Sequence, residues 1–574
     1  MSALRRLLFM MRENVILKKN IRNLSTNNHQ DVNIISSPCE DVDIPSITIP
    51  ELIYSRIEKF NKFTASVCAE THRSYTFEQL RVKARNLSKA LRKILKLEKG
   101  DTIAILLTNS PEYPLCVLGS LEAGLVVTTI NPLYTPEEIS RQLSDSSSKA
   151  IITFADLYAT AKSAANLSKR QLPIVTIKSK NDELLPEGAI IFNELLDSKI
   201  DLPDFQPGSA DDIAILPYSS GTTGLPKGVQ LTHRNIVSNI HQATCPDLDF
   251  SLPPTDNFQD IIPAVLPMFH IYGLTVTMFA ALNSGCRTIT LSKFTPDLYI
   301  SVLKNYKTSI IYAAPPLVLF LTLHPGVKKE YLESVRIVSS GAAPLGALDE
   351  ERFLQKSPKN TKIVQGYGLT ETSPVVTVCS VKLFEQGKAT GSIGQLVPNT
   401  LAKIVAIDDG TGKPLGPHQP GELLVKGPQV MKNYHNKEEE TRNAFLDGWF
   451  RTGDLGHYNE DGAFYITDRL KELIKVKGFQ VAPAELEEII RDFPAVDDAA
   501  VIGVAHDSYG ELPRAYVVPK KGEILKAAEL AEYVAEKVAS YKQLKGGIEI
   551  VDSIPKNSAG KILRRQLKLA YERK

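Results

Sequence analysis

The chain has 574 residues, 67 basic against 65 acidic, with 43% hydrophobic and 23% charged residues. That balance excludes a disordered chain, a collagen-like repeat and a coiled-coil rod, and a net charge of +2 gives no reason to expect a nucleic-acid partner. No run reaches the roughly 20 apolar residues that a membrane-spanning helix needs.

The chain opens on a basic leader: Arg5, Arg6, Arg12, Lys18, Lys19 and Arg22 stand against Glu13 alone. Acid-poor, Arg-bearing and apolar between its charges, residues 1–25 have the pattern of a mitochondrial transit peptide. Arg22-Asn23-Leu24-Ser25 is its expected cleavage site. The matrix is the expected location, with the cytoplasm as the alternative, and a frayed basic terminus is the plain reading of the same residues. The C-terminal Tyr571-Glu572-Arg573-Lys574 is not a peroxisomal address. Six cysteines occur without a C-x-x-C pair, which argues against a disulfide framework or a zinc cluster.

From about residue 50 onward, β-branched runs alternate with helical spacing. Strands are expected at Thr102–Leu107, Val126–Ile130, Ala150–Phe154, Ile174–Ile177, Ile213–Leu216 and Ile310–Ala313, and helices at Phe77–Ile94 and Pro136–Asp145. The fold class is α/β: a large N-terminal domain, 26–467, of mixed, largely parallel sheets covered by helices. Near residue 465 the pattern changes. Leu473–Val476, Ala499–Val504 and Ala515–Pro519 read as strands, Pro483–Arg491 and Ile524–Ser540 as helices. They form a small α+β domain, 468–574, with Thr467-Asp468-Arg469 as connector.

The most informative segment is Tyr218-Ser219-Ser220-Gly221-Thr222-Thr223-Gly224-Leu225-Pro226-Lys227-Gly228. It follows a strand and precedes a helix whose expected N-cap is Thr232. Glycines let backbone approach an anion, hydroxyls and N–H groups wrap phosphate oxygens, and Lys227 brings a mobile charge. The order of residues is not that of a Walker A loop. A flexible Ser/Thr/Gly surface loop is the competing reading of these residues alone.

The segment resembles the phosphate-loop signature of the adenylate-forming superfamily, which includes acyl-CoA synthetases, coumarate–CoA ligases, beetle luciferases and peptide-synthetase adenylation domains. Gln365-Gly366-Tyr367-Gly368-Leu369-Thr370-Glu371, Trp449-Phe450-Arg451-Thr452-Gly453-Asp454 and Asp468-Arg469-Leu470-Lys471 also resemble its motifs. So do Gly478-Phe479-Gln480-Val481-Ala482-Pro483-Ala484-Glu485 and Pro555-Lys556-Asn557-Ser558-Ala559-Gly560-Lys561, and all five follow the family's order.

The resemblance implies a two-step ligase using ATP, Mg²⁺ and coenzyme A. A carboxylate attacks the α-phosphate to give an acyl-adenylate, and the thiol of coenzyme A then displaces AMP. Ser219, Ser220, Gly221, Thr222, Thr223 and Lys227 would hold phosphates. Gln365, Gly366, Tyr367 and Thr370 would contact nucleotide, with the Tyr367 ring against adenine, and Glu371 would hold Mg²⁺. Asp454 and Arg469 would take the ribose, with Lys471 as a further nucleotide contact. Lys561 would bridge the carboxylate and α-phosphate oxygens. Lys475 and Gln480 would serve the thioester step, while Lys293, Lys477 and Gly478 would contact coenzyme A. Asp468 would be the hinge of a mobile C-terminal lid. His270 would gate the acyl pocket, lined by Tyr272, Val276, Ala343 and Val378.

Val276 and Val378 depart from the residues common in coumarate ligases. An apolar pocket favours an aromatic or medium-chain fatty acid. Two other readings share the motifs. A luciferase-like oxygenase would use the same adenylation residues. A non-catalytic acid- or nucleotide-binding relative would show decay at Lys561, Glu371 or Lys227, and all three are present. The expected partners are a small carboxylic acid, ATP and coenzyme A, with the protein a monomer or homodimer.

Overall fold

The β-branched runs become strands within a residue of their expected bounds: Thr102–Leu106, Val126–Thr129, Ala150–Phe154, Ile174–Ile177, Ile213–Ile215 and Ile310–Ala313. In the computed structural model, residues 33–179, 183–204, 208–219, 226–407, 411–477, 479–557 and 560–573 are described, so the basic leader lies outside the described residues. No helix among them is long and apolar enough to cross a membrane.

Ile213–Ile215, Val126–Thr129, Thr102–Leu106, Ala150–Phe154 and Ile174–Ile177 lie side by side, all parallel, at the centre of a nine-stranded sheet. Ala150–Phe154 is buried at every position, as a parallel strand covered on both faces must be. The covering helix Phe77–Lys93 starts at a Thr76 capping box with Gln79 and turns Phe77, Leu80, Ala84, Leu87 and Leu91 inward. Leu80 is fully buried, and its truncation to alanine would cost about 2–5 kcal/mol.

Three more sheets complete the large domain. One, containing Ile261–Ala264 and Arg287–Thr290, is mainly parallel; another runs parallel through Ile310–Ala313, Ile337–Ser340 and Lys362–Gly368 and then antiparallel through Val375–Val378 and Gln395–Leu396. The six-stranded sheet, with Leu401–Val405, Gly421–Lys426, Trp449–Tyr458 and Phe464–Arg469, is antiparallel throughout.

The small domain is built on a five-stranded sheet in which Val496–His506 and Gly510–Pro519 form a long hairpin. The helices Pro483–Arg491 and Ala527–Lys537 contribute Leu486, Ile490, Leu530 and Val534 to its separate apolar core. Phe464–Arg469 still pairs with Trp449–Tyr458, so by pairing Asp468 and Arg469 end the large domain's last strand, just past the expected boundary. The lid's first strand begins at Ile474. All six cysteines are free, five of them buried and Cys39 half-buried.

Candidate active site

Where the lid meets the large domain, a cavity of about 980 Å³ is walled by residues from both. One end is charged and the other is mainly apolar.

At the charged end, strand pairing places Ser219 directly opposite Lys227. The phosphate loop therefore leaves from and returns to the cavity wall. Ser220, Gly221, Thr222 and Thr223 lie outside the described residues. Glu371 sits in a one-turn element after the strand Lys362–Gly368. That strand doubles back tightly: a Cβ on Gly368 would lie 2.0 Å from the Pro374 carbonyl, so only glycine fits. The Glu371 carboxylate accepts hydrogen bonds at Oε1 from Ser219 Oγ (3.1 Å) and Tyr434 OH (2.9 Å), and the Lys227 ammonium stands 5.2 Å from the Tyr434 ring centre. Gly366, Tyr367 and Thr370 complete this wall.

Asp454 lies in the middle of the strand Trp449–Tyr458, and its side chain is 3% exposed. Tyr367 donates to it at 2.5 Å, and Arg469, its cross-strand neighbour, stands 3.2 Å away. Burial and the Asp454 charge drive the Tyr367 phenol well above its usual range. Asp454 is not itself a wall residue, whereas Tyr367 and Arg469 both are. Arg451, three residues before Asp454, pairs with Glu422 at 2.6 Å and not with Asp454. Gln365 departs from expectation. It is buried away from the wall, giving Nε2 to Leu345 O and Glu350 Oε1 and accepting from Leu345 N. A carboxamide with all these partners inside the protein has no reason to face a ligand.

The apolar end holds His270, Tyr272, Val276 and Val378 as expected. Ala343 does not line it; the preceding Ala342 does, because only the first residues after the strand Ile337–Ser340 face the cavity. Burial pushes the His270 imidazole down to about 4, so it is neutral at physiological pH. Tyr272 opens a π-helical stretch, Tyr272–Ala280, a distortion frequent at functional sites. Its hydroxyl donates to Ser339 O at 3.2 Å, and its ring meets Tyr312 edge-on at 6.4 Å.

The lid enters on a tight hairpin. Lys556 bridges Ile562, Asn557 N donates to Lys561 O, and Lys561 N donates to Asn557 Oδ1, both at 2.8 Å. Gly560 takes φ +81° there, and a Cβ would come 3.1 Å from Pro316 of the large domain. Lys561 lines the cavity beside Asn557. Burial, with Arg469 and Arg564 nearby, lowers its ammonium to about 8, while Glu472 and Asp454 oppose that shift. Lys471 is also a wall residue.

The thioester set is elsewhere. Lys475 and Lys477 are exposed on the hairpin of Ile474–Val476 and Phe479–Val481, and neither lines the cavity. Lys477 lies over the Tyr509 ring at 4.1 Å. Lys293 is exposed and off the wall too. Gly478 and the Gln480 side chain lie outside what is described. Asp468 is 6% exposed and accepts from Arg469 N and Ala484 N, with burial raising its carboxyl to about 6.

Sequence reasoning missed Tyr434, Tyr312 and Asp249, all on the cavity wall. Tyr434 reaches the site because Asn433–Tyr434 pairs with Lys227–Thr232, a contact across some 200 positions that no local pattern signals. Tyr312 lies inside an expected strand, where an aromatic residue looks like core.

The AMP-binding enzyme family model matches residues 54–435, and the AMP-binding enzyme C-terminal domain model matches 485–561. The chain is 37% identical over 545 residues to 4-coumarate–CoA ligase 3 of Oryza sativa subsp. japonica, covering 94% of this chain and 95% of that one. Among solved structures, ATP-bound MatB from Rhodopseudomonas palustris superposes with a TM-score of 0.81 at 27% identity, over 92% of this chain and 99% of that one. Apo MatB, at the same identity and coverage, gives 0.70, so the chain follows the ATP-bound form more closely. The chain belongs to the AMP-binding enzymes, and by class it is an ATP-dependent acid–thiol ligase that activates a carboxylate as its acyl-adenylate and passes it to coenzyme A.

Proposed function

We propose that the acid is an aromatic or medium-chain fatty carboxylate, held with its tail among His270, Tyr272, Val276, Tyr312 and Val378 and its carboxylate toward Lys561. The observation that carries this reading is the polarity of a single cavity, with Ser219, Lys227, Glu371, Arg469 and Lys561 on one side and on the other a mainly apolar chamber, with Asp249 near Tyr312 as its one acid. Tyr312, half-buried on the cavity wall, is bulky enough to bound that chamber, which favours a flat or slender tail over a branched one.

In the first half-reaction a carboxylate oxygen of the acid attacks the α-phosphorus, and pyrophosphate leaves. Lys227 and the phosphate loop hold the departing phosphates, and Tyr367, Asp454 and Arg469 fix the nucleoside. Lys561 neutralises the charge that gathers on the α-phosphate, which lowers the barrier because the contact strengthens as the transition state forms. Glu371 fits Mg²⁺: its Oε2 has no hydrogen bond among the described residues, and it lies on the wall beside the phosphate loop. Mg²⁺ takes one or two carboxylates and completes its shell with substrate phosphates and water, and no cluster of three ligating side chains stands there among the described residues. Bound there, Mg²⁺ would neutralise phosphate charge.

In the second half-reaction the thiolate of coenzyme A attacks the acyl carbon and AMP leaves. Lys293, Lys475, Lys477, Gly478 and Gln480 serve this step after the lid turns about Asp468. His270, neutral and half-buried on the wall, separates the acyl chamber from the approaching thiol. The basic leader directs the protein to the mitochondrial matrix, which N-terminal sequencing of the organelle-imported protein would check.

The test supplies ATP, Mg²⁺ and coenzyme A with a panel of fatty acids, benzoates and cinnamates, quantifying AMP and acyl-CoA separately, with Lys561→Ala alongside. AMP and thioester formed together with aromatic or medium-chain acids, and lost in the variant, is the expected result. Turnover confined to short or very long acids would overturn the assigned acid class. Acyl-adenylate without thioester, with light on adding luciferin and oxygen, would favour an oxygenase.

A further inference from the structure

A cluster of charged side chains sits behind Lys561, outside the set assigned above. Glu472 lies in the connector between the last strand of the large domain and the first of the lid, its backbone N–H bonded to Arg469 O at 2.9 Å. One carboxylate oxygen, Oε1, stands 3.9 Å from the Lys561 ammonium. The other accepts a short hydrogen bond from Arg564 Nη1. Arg564 is fixed in turn: its Nη2 donates to both oxygens of Glu487, at 2.9 and 2.8 Å, and its Nε to Val501 O. Glu487 is 4% exposed and also accepts the Val501 amide at 2.8 Å. The chain of contacts therefore runs from the lid sheet through Arg564 to Glu472, and ends on Lys561.

We propose that Glu472 is a positioning residue for adenylation, a carboxylate that docks the Lys561 hairpin and keeps its ammonium aimed into the cavity in this arrangement of the lid. The proposal rests on the role given to Lys561 above.

The charges around Lys561 explain why a carboxylate is needed. Arg469 and Arg564 face it as cations; Glu472 and Asp454 face it as anions, with Asp468 and Glu487 opposite Arg564. Asp454 is already held by Tyr367 and Arg469, and Glu487 by Arg564. Glu472 is the one anion within ion-pair distance of the Lys561 ammonium among the described residues. Without it, a half-buried ammonium near two guanidinium groups would turn away or lose its proton. The thioester face, with Lys475 and Lys477 in solvent, does not use this contact.

The experiment compares wild type with Glu472→Gln and Glu472→Asp in the full chain. Adenylation is read as pyrophosphate release without coenzyme A, and the thioester step separately from synthetic acyl-adenylate plus coenzyme A. For Glu472→Gln the expected result is adenylation slowed by about 10- to 100-fold, with the thioester step within about twofold. The alkaline limb of adenylation should also move down by about one pH unit, since an opposite charge at this range holds a pKa by one unit or more. Glu472→Asp keeps the charge on a shorter arm, so its rate should fall while its alkaline limb stays near that of wild type. Equal losses in both half-reactions, an unmoved limb in Glu472→Gln, or a limb in Glu472→Asp displaced as far as in Glu472→Gln would overturn the proposal. A wild-type protein that adenylates no acid would instead defeat the functional reading on which it rests.

Discussion

The lid carries two lysine-bearing hairpins, and the structure treats them in opposite ways. The hairpin from Lys556 to Ile562 meets Pro316 at Gly560, with Lys561 half-buried, its proton affinity lowered and an anion beside it. On the hairpin of Ile474–Val476 and Phe479–Val481, Lys475 and Lys477 stay in solvent, Lys477 resting on an aromatic ring of its own domain. Both are basic hairpins on one small sheet domain, and only one addresses the cavity. A rigid domain with two working faces can present them only in turn, so the difference between the hairpins is a difference between half-reactions.

The sharpest way to break that comparison is to remove each lysine separately. Lys561→Ala should lower adenylation by about 10²–10³, the loss typical of deleting one preorganised charge-stabilising donor. Thioester formation from synthetic acyl-adenylate should barely change. Lys475→Ala and Lys477→Ala should show the reverse, with the thioester step down by about 10-fold or more and pyrophosphate release intact. Rapid-quench measurement of each step decides. If all three variants slowed the same step, the two faces would not be separate.

How much of this was legible beforehand follows from what is local. Pro483–Arg491 and Pro136–Asp145 form with the bounds their sequence gives, since Pro at the first turn and apolar spacing are local signals. The motif residues Ser219, Lys227, Glu371, Arg469 and Lys561 meet on one wall because the family pattern fixes them as a set. Gln365 belongs to the same motif as Glu371, yet its side chain turns to Glu350 on a helix elsewhere in the chain, a partner that no spacing discloses. Asp454 follows Gly453, a residue that weakens a strand interior. Its strand continues to Tyr458 because Gly421–Lys426 and Phe464–Arg469 pair on either side. Nothing local separates the two lid hairpins either; the contact with Pro316 does.

The pH dependence sharpens the comparison with a smaller effect. The ammonium of Lys561 is lowered to about 8 from its ordinary value, so it is charged below that pH and loses its proton as pH rises through it. Adenylation kcat/KM for ATP, which reports the free enzyme, should therefore fall about tenfold per unit above that point. The thioester step relies on solvent-exposed lysines and a thiol that ionises as pH rises, so it should not share the decline. Coincident limbs would mean that the same group governs both steps.

The smallest expected effect concerns the idle hairpin. Lys477 holds φ +48°, donates its N–H to Tyr509 O and keeps its ammonium 4.1 Å from the Tyr509 ring centre. A cation over a ring at the surface gains about 0.5–1 kcal/mol, and that contact must be given up when Lys477 turns to coenzyme A. Tyr509→Leu keeps an apolar side chain and the backbone bond but removes the ring. It should lower the KM for coenzyme A by about two- to fivefold, the same free energy expressed as affinity, and leave adenylation unchanged. A raised KM would show that the ring presents Lys477 to coenzyme A instead of holding it back, and the hairpin in solvent would then be preorganised for its step just as the one at the cavity is.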